Sequence, residues 1–193
     1  MTKQSSYKLI TLPNKHLRQP SKKVGIIDEK IQKIIKAMEN VLLKWESERE
    51  HEVGVALAAI QIDVDLRIII VRDDIENKDN NKFNIFVNPT ITKYEGERIE
   101  DYEGCLSIQD VYGKVPRYSK VKISALDIAG NPIRLTVSGF MARIFQHEID
   151  HTNGKVFIDH IKDNHNAFYQ LMPDGKLREL DYDKDVEKNN ILW

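Results

Sequence analysis

The stretch QHEIDH, residues 146–151, places two histidines four residues apart with a glutamate directly after the first. Because a helix turns by about 100° per residue, positions four apart lie on the same helix face. His147 and His151 can therefore direct both imidazoles at one metal ion, with Glu148 close beside them. The alternative interpretation of the pattern is a solvated helix face that binds nothing.

The residues around this stretch predict where its helix begins and ends. Ser138 is a candidate N-cap for GFMARIFQHEIDH, and Asn153-Gly154 provides a C-terminal stop. A second helix is predicted to follow Asp28, a plausible N-cap. Its apolar residues fall at steps of three and four with one step of one: Ile31, Ile34, Ile35, Met38, Leu42 and Trp45. The run KWESEREHE at its end is too polar for a core, and we interpret it as a solvated helix end or loop.

Between the two helices the sequence has β-strand character. LRIIIV (66–71) predicts a buried strand, and FNIFVN (83–88) a second strand after a polar loop. VKISALDI and IRLTV flank a turn containing AGN, which is typical of a β-hairpin. Strands that cluster instead of alternating with helices favour an α+β fold. We expect a single domain, 1–193, with a core of about 5–162 and a loosely ordered tail over 163–193.

Composition restricts the classes of function. The chain has 193 residues and a formal net charge of −1, so it has no electrostatic signature of nucleic-acid binding. No apolar run approaches the roughly 20 residues of a membrane span. The beginning, MTKQSSYKLI, resembles neither a secretory signal nor a transit peptide, so we expect a cytoplasmic protein. With one cysteine, Cys105, no intrachain disulfide can form; this residue is either a small buried hydrophobe or a thiolate ligand.

Two histidines need a third protein ligand to hold a catalytic metal. In the long zinc-protease signature that ligand is a third histidine, but Phe157 occupies its position and cannot bind a metal. Glu179 and Glu187 lie in the weakly patterned tail, and His160 is better interpreted as a surface or core histidine. The upstream sequence EGCLS (103–107) offers the Cys105 thiolate, and three protein ligands would leave one tetrahedral position open, as catalytic sites require.

Three segments together carry a resemblance to a known family. GVALAAIQ (54–61), EGCLS (103–107) and QHEIDH (146–151) resemble, in order and separation, the three signature motifs of the peptide deformylases. The resemblance covers roughly residues 5–162. It implies antiparallel β-sheets packed around a central helix that carries the HEIDH motif, with an N-terminal helix. It also implies removal of the formyl group from the formylmethionine of newly made polypeptides, with release of formate.

The resemblance assigns a role to each residue that matches the motifs. Cys105, His147 and His151 would hold one divalent metal ion per chain, with Fe²⁺ as the native ion and Zn²⁺ or Ni²⁺ as alternatives. A metal-bound water would be the nucleophile, with Glu148 as general base and then general acid. The Gln61 side chain and the Leu106 N–H would bind the oxyanion. Partners would be N-formylmethionyl peptides and the ribosome near its exit tunnel.

The resemblance also predicts how the substrate is held. A formyl peptide would add as a strand beside 54–57 and Gly104, through main-chain hydrogen bonds. Its methionine would enter a pocket whose walls include Val55, Phe140 and Ile144, although core packing is an alternative role for Phe140 and Ile144. We expect Glu103 and Arg117 to pair and to brace the cysteine loop.

Several features depart from the family pattern, among them Ile60 and Gln109 in place of prolines and Thr152 in place of a leucine. Ala56 stands where glycine is usual, which is harmless at negative φ but strained at positive φ. The polar segment at 46–52 is also unusual. Two alternative functions stay open. The His-Glu-x-x-His pattern is also that of an endopeptidase, against which Phe157 and the Cys105 motif count, and Ala56 with the polar segment supports a catalytically impaired formyl-peptide-binding or ribosome-associated module.

Overall fold

A computed structural model describes residues 7–77 and 79–188 of the chain. Two α-helices, α1 (Glu29–Ser47) and α2 (Gly139–Thr152), accompany seven β-strands. The strands are β1 (Ala56–Ala58), β2 (Ile68–Arg72), β3 (Phe83–Cys105), β4 (Ile108–Leu126), β5 (Pro132–Ser138), β6 (Phe168–Leu171) and β7 (Leu177–Glu179). No helix in these two ranges is both long and apolar enough to span a membrane.

All strand pairs are antiparallel and form one hydrogen-bonded network. The order is β1-β2-β3-β4-β6-β7, and β5 pairs with β4 as well. The long β3 and β4 connect its parts, since β3 pairs with β2 near its start and β4 with β5 near its end. The predicted α+β class with antiparallel pairing is confirmed. Residues 90–102 belong to β3 and form one arm of the long β3–β4 hairpin, which turns between Cys105 and Ile108.

Helix α1 forms as its sequence predicts. The Asp28 carboxylate accepts a hydrogen bond from the Ile31 N–H at 3.0 Å, which satisfies one free donor of the first turn. The apolar stripe packs on β1 and β2 in one buried cluster with Ile68 and Ile70. Its C-terminal end differs from the expectation, because Glu46 is buried and pairs with the fully buried Arg72 of β2. A polar run can thus contain a core ion pair when its partner lies on a distant strand.

Helix α2 is packed against the sheet and carries the HEIDH motif in its last two turns. Asn153 ends it, and Gly154 follows at φ +73°, a conformation that favours glycine. The Gln146 side chain joins the helix to β4: its amide donates to the Tyr118 carbonyl at 2.8 Å and accepts from the Tyr118 N–H at 3.1 Å. These contacts set the rotation of α2 relative to β4.

Two short strands of the segment 163–188 belong to the sheet, although the sequence predicted a loosely ordered tail. β6 pairs with β4, and β7 pairs with β6. Ala167, Phe168, Leu180 and Val186 are buried in one apolar cluster. They lack a regular spacing because the segment alternates short strands with turns, so no periodic pattern marks them. Residues 189–193 of the predicted tail, and residues 1–6, lie outside the described residues.

Candidate metal centre and substrate cleft

The predicted site residues line a single cavity of about 240 Å³. The predicted residues come from three parts of the chain: the β1 region, the end of β3 with the connection to β4, and one face of α2. The lining includes Val55, Ala56, Gln61, Gly104, Cys105, Leu106, Phe140, Ile144, His147 and Glu148. His151 lies behind this surface and is fully buried. Segments almost 100 residues apart in the sequence therefore meet here.

The three predicted ligands lie together at the base of the cavity. One ligand atom from each of Cys105, His147 and His151 lies within 4.8 Å of the other two. The Cys105 Sγ is 3.2 Å from the His151 Nε2. A thiolate and two imidazoles fit a first-row divalent ion, and three protein ligands leave a position open for chemistry. The donor set and its buried geometry therefore fit a catalytic metal.

The charge states of the two histidines differ in this cluster. Burial and the neighbouring His147 lower the pKa of His151 well below its ordinary value, which keeps this ring neutral, the state that binds metals. Burial also opposes charge on His147, but hydrogen bonds with Cys105 and Glu103 outweigh it and raise the pKa of His147. An ion bound here would replace that proton as the partner of the thiolate.

The other candidate ligands do not approach the cluster. Phe157, at the sequence position of the zinc proteases' third histidine, stacks on the His147 ring at a centroid distance of 6.3 Å. His160 contacts Asp150 at 2.7 Å. Glu179 belongs to β7 and Glu187 to a helical turn, Tyr182–Glu187. Among the described residues, the ligand group contains only Cys105, His147 and His151.

Glu148 is buried beside the ligands without a complete set of partners. Its side chain lines the cavity, and its Oε2 has no hydrogen-bond partner among the described residues. Burial raises the pKa of Glu148 to about 7, against an opposing contribution from His147. A carboxyl with a pKa near neutrality can both accept and donate a proton, which suits a general base and acid.

A buried carboxylate, Glu103, connects the cysteine loop to the metal-ligand helix. The expected pair is present, since Arg117 donates to it through Nε at 2.9 Å and Nη2 at 3.1 Å. Arg143 Nη1 donates to the same carboxylate at 2.8 Å, and His147 Nδ1 at 3.0 Å. Although burial raises it, the pKa of Glu103 stays well below its usual range because His147 and Arg117 contact the carboxylate. The bond to Nδ1 leaves Nε2 of His147 for a metal.

Sequence reasoning missed the rest of this network. Asp150 accepts hydrogen bonds from Arg117 and contacts His160, which also lies 3.2 Å from Arg117. Arg143 donates to the Val115 and Ile99 carbonyls, both at 2.7 Å. One local signal was available for Arg143, because it precedes His147 by four residues and so shares its helix face. The contacts of His160 depend on tertiary folding and have no such signal.

Gln61 is held in one orientation at the cavity wall. It is 1% exposed, and its Oε1 accepts from the Ala58 N–H at 2.9 Å. Its Nε2 therefore faces Cys105 Sγ at 3.6 Å and Ser107 Oγ at 3.2 Å. An amide whose oxygen is already occupied presents its N–H groups to the cavity, which is the arrangement that an oxyanion donor requires.

The concern about Ala56 does not arise in this structure. Ala56 lies in the extended strand β1 and is absent from the positive-φ residues of the described chain. Beside it, Val55 and Ile144 form apolar walls of the cavity, and Phe140 stands at the mouth with 51% of its surface exposed. Val55, Ile144 and Phe140 thus form an apolar part of the cavity next to the ligand cluster.

Comparisons with known proteins agree with this arrangement. A family profile described as "Polypeptide deformylase" matches residues 6–167. The chain is similar to the peptide deformylase of Aquifex aeolicus, with 37% identity over 155 residues that cover 80% of this chain and 86% of that protein. The Brucella suis peptide deformylase is 40% identical over 154 residues, covering 79% and 83%. The structure of the present chain is similar to that of a Synechococcus elongatus peptide deformylase solved in complex with actinonin. The TM-score is 0.73, with 33% sequence identity, and the match covers 81% of this chain and 80% of that one.

Proposed function

The chain belongs to the polypeptide deformylase family, a family of metal-dependent hydrolases, and we propose that it removes the N-formyl group from the formylmethionine of newly made polypeptides. The observation that carries the proposal is the meeting of Cys105, His147 and His151 beside a buried glutamate, Glu148, in one cleft. The reaction adds water to the formyl carbon and breaks the C–N bond, which yields formate and a free α-amine.

Cys105, His147 and His151 would hold the metal, for which we propose Fe²⁺, with Zn²⁺ or Ni²⁺ able to use the same ligands. When bound, such an ion supplies Lewis-acid chemistry, because it acidifies a water molecule and polarises a carbonyl oxygen. The set of one sulfur and two nitrogen ligands suits all three ions, so the choice of Fe²⁺ rests on the family alone.

We assign the two proton transfers of this reaction to Glu148. It accepts a proton from the attacking water and returns it to the departing amine, which would otherwise leave as a poor anion. Its burial supports this role, since a pKa near 7 keeps both protonation states accessible at neutral pH. Negative charge develops on the formyl oxygen when water adds to the carbon. We assign its stabilisation to the Gln61 amide and the Leu106 N–H, since both residues line the cavity.

The free edge of β1 supports strand addition by the substrate. β1 stands at the end of the sheet order and pairs only with β2 among the described strands, so its other edge can accept a peptide. Val55 and Ala56, at the start of β1, line the cavity together with Gly104 of β3. Recognition through main-chain groups would suit substrates whose sequences vary after the first methionine.

Cytoplasmic location and contact with the ribosomal exit tunnel stay predictions from the resemblance.

The test is formate release from formyl-Met-Ala-Ser by anaerobically purified protein whose metal content is measured in the same sample. Turnover that is lost in Glu148→Ala while about one metal per chain stays bound is the expected result. Metal-loaded wild-type protein that binds the peptide without releasing formate would overturn the proposal and favour a binding module instead. Cleavage at an internal peptide bond would favour an endopeptidase.

A further inference from the structure

A buried guanidinium joins three parts of the chain that surround the start of β1. It belongs to Arg72, the last residue of β2, which is 1% exposed. Its Nε donates to the Gly54 carbonyl at 3.1 Å, and its Nη1 donates to the Asn80 carbonyl at 2.8 Å. Its Nη2 contacts the Glu46 carboxylate. The end of α1, the segment before β1 and the loop before β3 therefore meet at one cation.

The guanidinium is held in a single orientation by its other contacts. Glu46, in the last turn of α1, supplies a buried counter-charge, with a side chain 8% exposed. The Arg72 Cζ lies 5.3 Å from the centroid of the ring of Phe83, its partner residue in the β2–β3 ladder. Because a guanidinium presents its N–H groups in one rigid plane, these contacts also fix the direction of the Nε–H that reaches Gly54.

The segment before β1 is fixed from both sides. On the side of α1, a Cβ added at Gly54 would lie 2.6 Å from Leu42 Cδ2, so the backbone lies directly against the helix. On the side of β2, the Arg72 N–H donates to the Val55 carbonyl at 2.8 Å, which continues the β1–β2 ladder beyond Ala56. A segment with these three contacts is ordered before a ligand arrives, so binding does not have to order it.

This order decides which main-chain groups face the cavity. In an antiparallel pair, the N–H and C=O groups of successive residues point to opposite edges of the strand. The Val55 carbonyl is directed at β2, so the peptide groups of Ala56 are directed at the free edge of β1, where the proposed substrate strand adds. A displacement of the Gly54 peptide would therefore move the groups that bind the substrate main chain.

From these contacts we propose that Arg72 and Glu46 are positioning residues for the substrate strand. Glu46 fixes the guanidinium, and the guanidinium holds residues 54–55 in the conformation that accepts a peptide. Neither side chain lines the cavity that the described residues form, so both act through the 54–55 segment. This proposal rests on the proposed deformylase function. It gives the buried pair a role in substrate binding that is separate from its contribution to stability.

The experiment measures kcat and KM for formyl-Met amide and formyl-Met-Ala-Ser with the metal-loaded wild type, Arg72→Lys and Glu46→Gln. The tripeptide can make more main-chain hydrogen bonds along β1 than the amide, so its KM depends more on that edge. Lysine keeps the positive charge, but its single nitrogen lacks the fork that binds Glu46, Asn80 and Gly54 together.

We expect Arg72→Lys to raise KM for the tripeptide about threefold to tenfold, the effect of about one main-chain hydrogen bond, with kcat nearly unchanged. KM for the amide should rise less, so the ratio of the two KM values changes. Glu46→Gln keeps the shape of the side chain and an acceptor oxygen, and it should change the ratio in the same direction by a smaller factor. If Arg72→Lys does not fold, Glu46→Gln decides the test.

Two control variants separate this role from a general loss of stability. Arg18→Lys makes the same substitution in a pair with Asp159, which lies in the helical turn Phe157–His160. Val186→Ala removes part of a fully buried side chain in the C-terminal apolar cluster and should lower Tm. Both controls should keep the wild-type ratio of KM values.

An unchanged KM ratio in Arg72→Lys and Glu46→Gln, with Tm lowered, would show that the buried pair is purely structural and would overturn the positioning role. Lost metal or lowered kcat at an unchanged ratio would overturn it as well, because the pair would then act on the metal site. In both cases deformylase activity of the wild type stands. Failure of the wild type to release formate from either substrate would instead overturn the proposed function, and this inference with it.

Discussion

Glu103→Gln is expected to lower the stability of the protein and its affinity for metal at the same time. The Glu103 carboxylate is buried, with a side chain only 3% exposed, and it accepts hydrogen bonds from Arg117, Arg143 and His147 at 2.8–3.1 Å. The amide keeps the shape of the side chain but removes its charge. Two buried guanidinium groups then lose their shared counter-ion.

The expected loss of stability follows from this burial. Removal of one partner from a buried ion pair costs about 3–5 kcal/mol. Arg117 keeps Asp150, and the glutamine oxygen keeps one accepted hydrogen bond, so we expect the lower end, about 3 kcal/mol. Because a domain is stabilised by only about 5–15 kcal/mol in total, the change is easily measured.

Urea unfolding of the metal-free protein measures this term without a contribution from metal binding. Glu95→Gln is the matched control, since Glu95 also lies in β3 and contacts three cations, Lys93, Lys120 and Lys122. Its side chain is 20% exposed, so solvent screens these pairs and the same substitution should change stability far less. Equal effects at the two positions would refute the argument from burial.

Metal affinity, measured by competition with a chelator, tests the second half of the prediction. The carboxylate accepts a hydrogen bond from Nδ1 of His147 and so orients Nε2 toward the ion. Loss of such an outer contact typically weakens metal binding by about 10–100-fold. A destabilised Glu103→Gln protein that binds Zn²⁺ as tightly as the wild type would show that Glu103 is purely structural.

Three further predictions concern single residues. Because the pKa of Glu148 is raised, the folded state keeps a proton that the unfolded state loses between about pH 4.5 and 7, so stability falls over that range. Glu148→Gln should therefore stabilise the metal-free protein by roughly 3 kcal/mol at pH 8 and have no such effect at pH 4. An equal effect at both pH values would contradict the raised pKa. Ala56→Gly should lower the free energy of unfolding by about 0.5–1 kcal/mol, because glycine gains freedom in the unfolded chain, and a stabilised variant would mean that alanine is strained here. Glu46→Ala should cost about 3 kcal/mol, because it removes a buried carboxylate that pairs with the Arg72 guanidinium, while the Gly54 and Asn80 carbonyls still accept from that guanidinium. The exposed Glu48→Ala should be neutral in the same urea assay.

The features that the sequence predicted are those with local causes. The Asp28 cap, the stripe of α1 and the stop at Gly154 each depend on residues within one or two turns, so their patterns are visible in the sequence. The ligand set was predictable for a different reason, because its three motifs resemble a family in order and separation. Spacing alone left Glu179, Glu187 and His160 as alternatives to Cys105.

The features that the sequence did not predict depend on partners far along the chain. Glu46 is buried because Arg72 lies on β2, 26 residues away, and nothing in KWESEREHE indicates this. Phe168 is buried because β6 pairs with β4, which a short strand without alternation does not show. Both cases are tertiary effects that override a correct local assessment of polarity or periodicity.

The three metal ligands stand on regular secondary structure, which fixes their positions relative to one another. Cys105 is the last residue of β3 and pairs across to Ile108, so the thiol is held by a strand ladder on both sides of a two-residue connection. The histidines are fixed by α2, whose Arg143 and His147 both bind Glu103 from positions four apart. Glu103 stands two residues before Cys105, so one carboxylate sets the distance between the strand that carries the sulfur and the helix that carries the nitrogens. A metal site built this way is formed by folding itself, which reduces the ordering that metal binding would otherwise require.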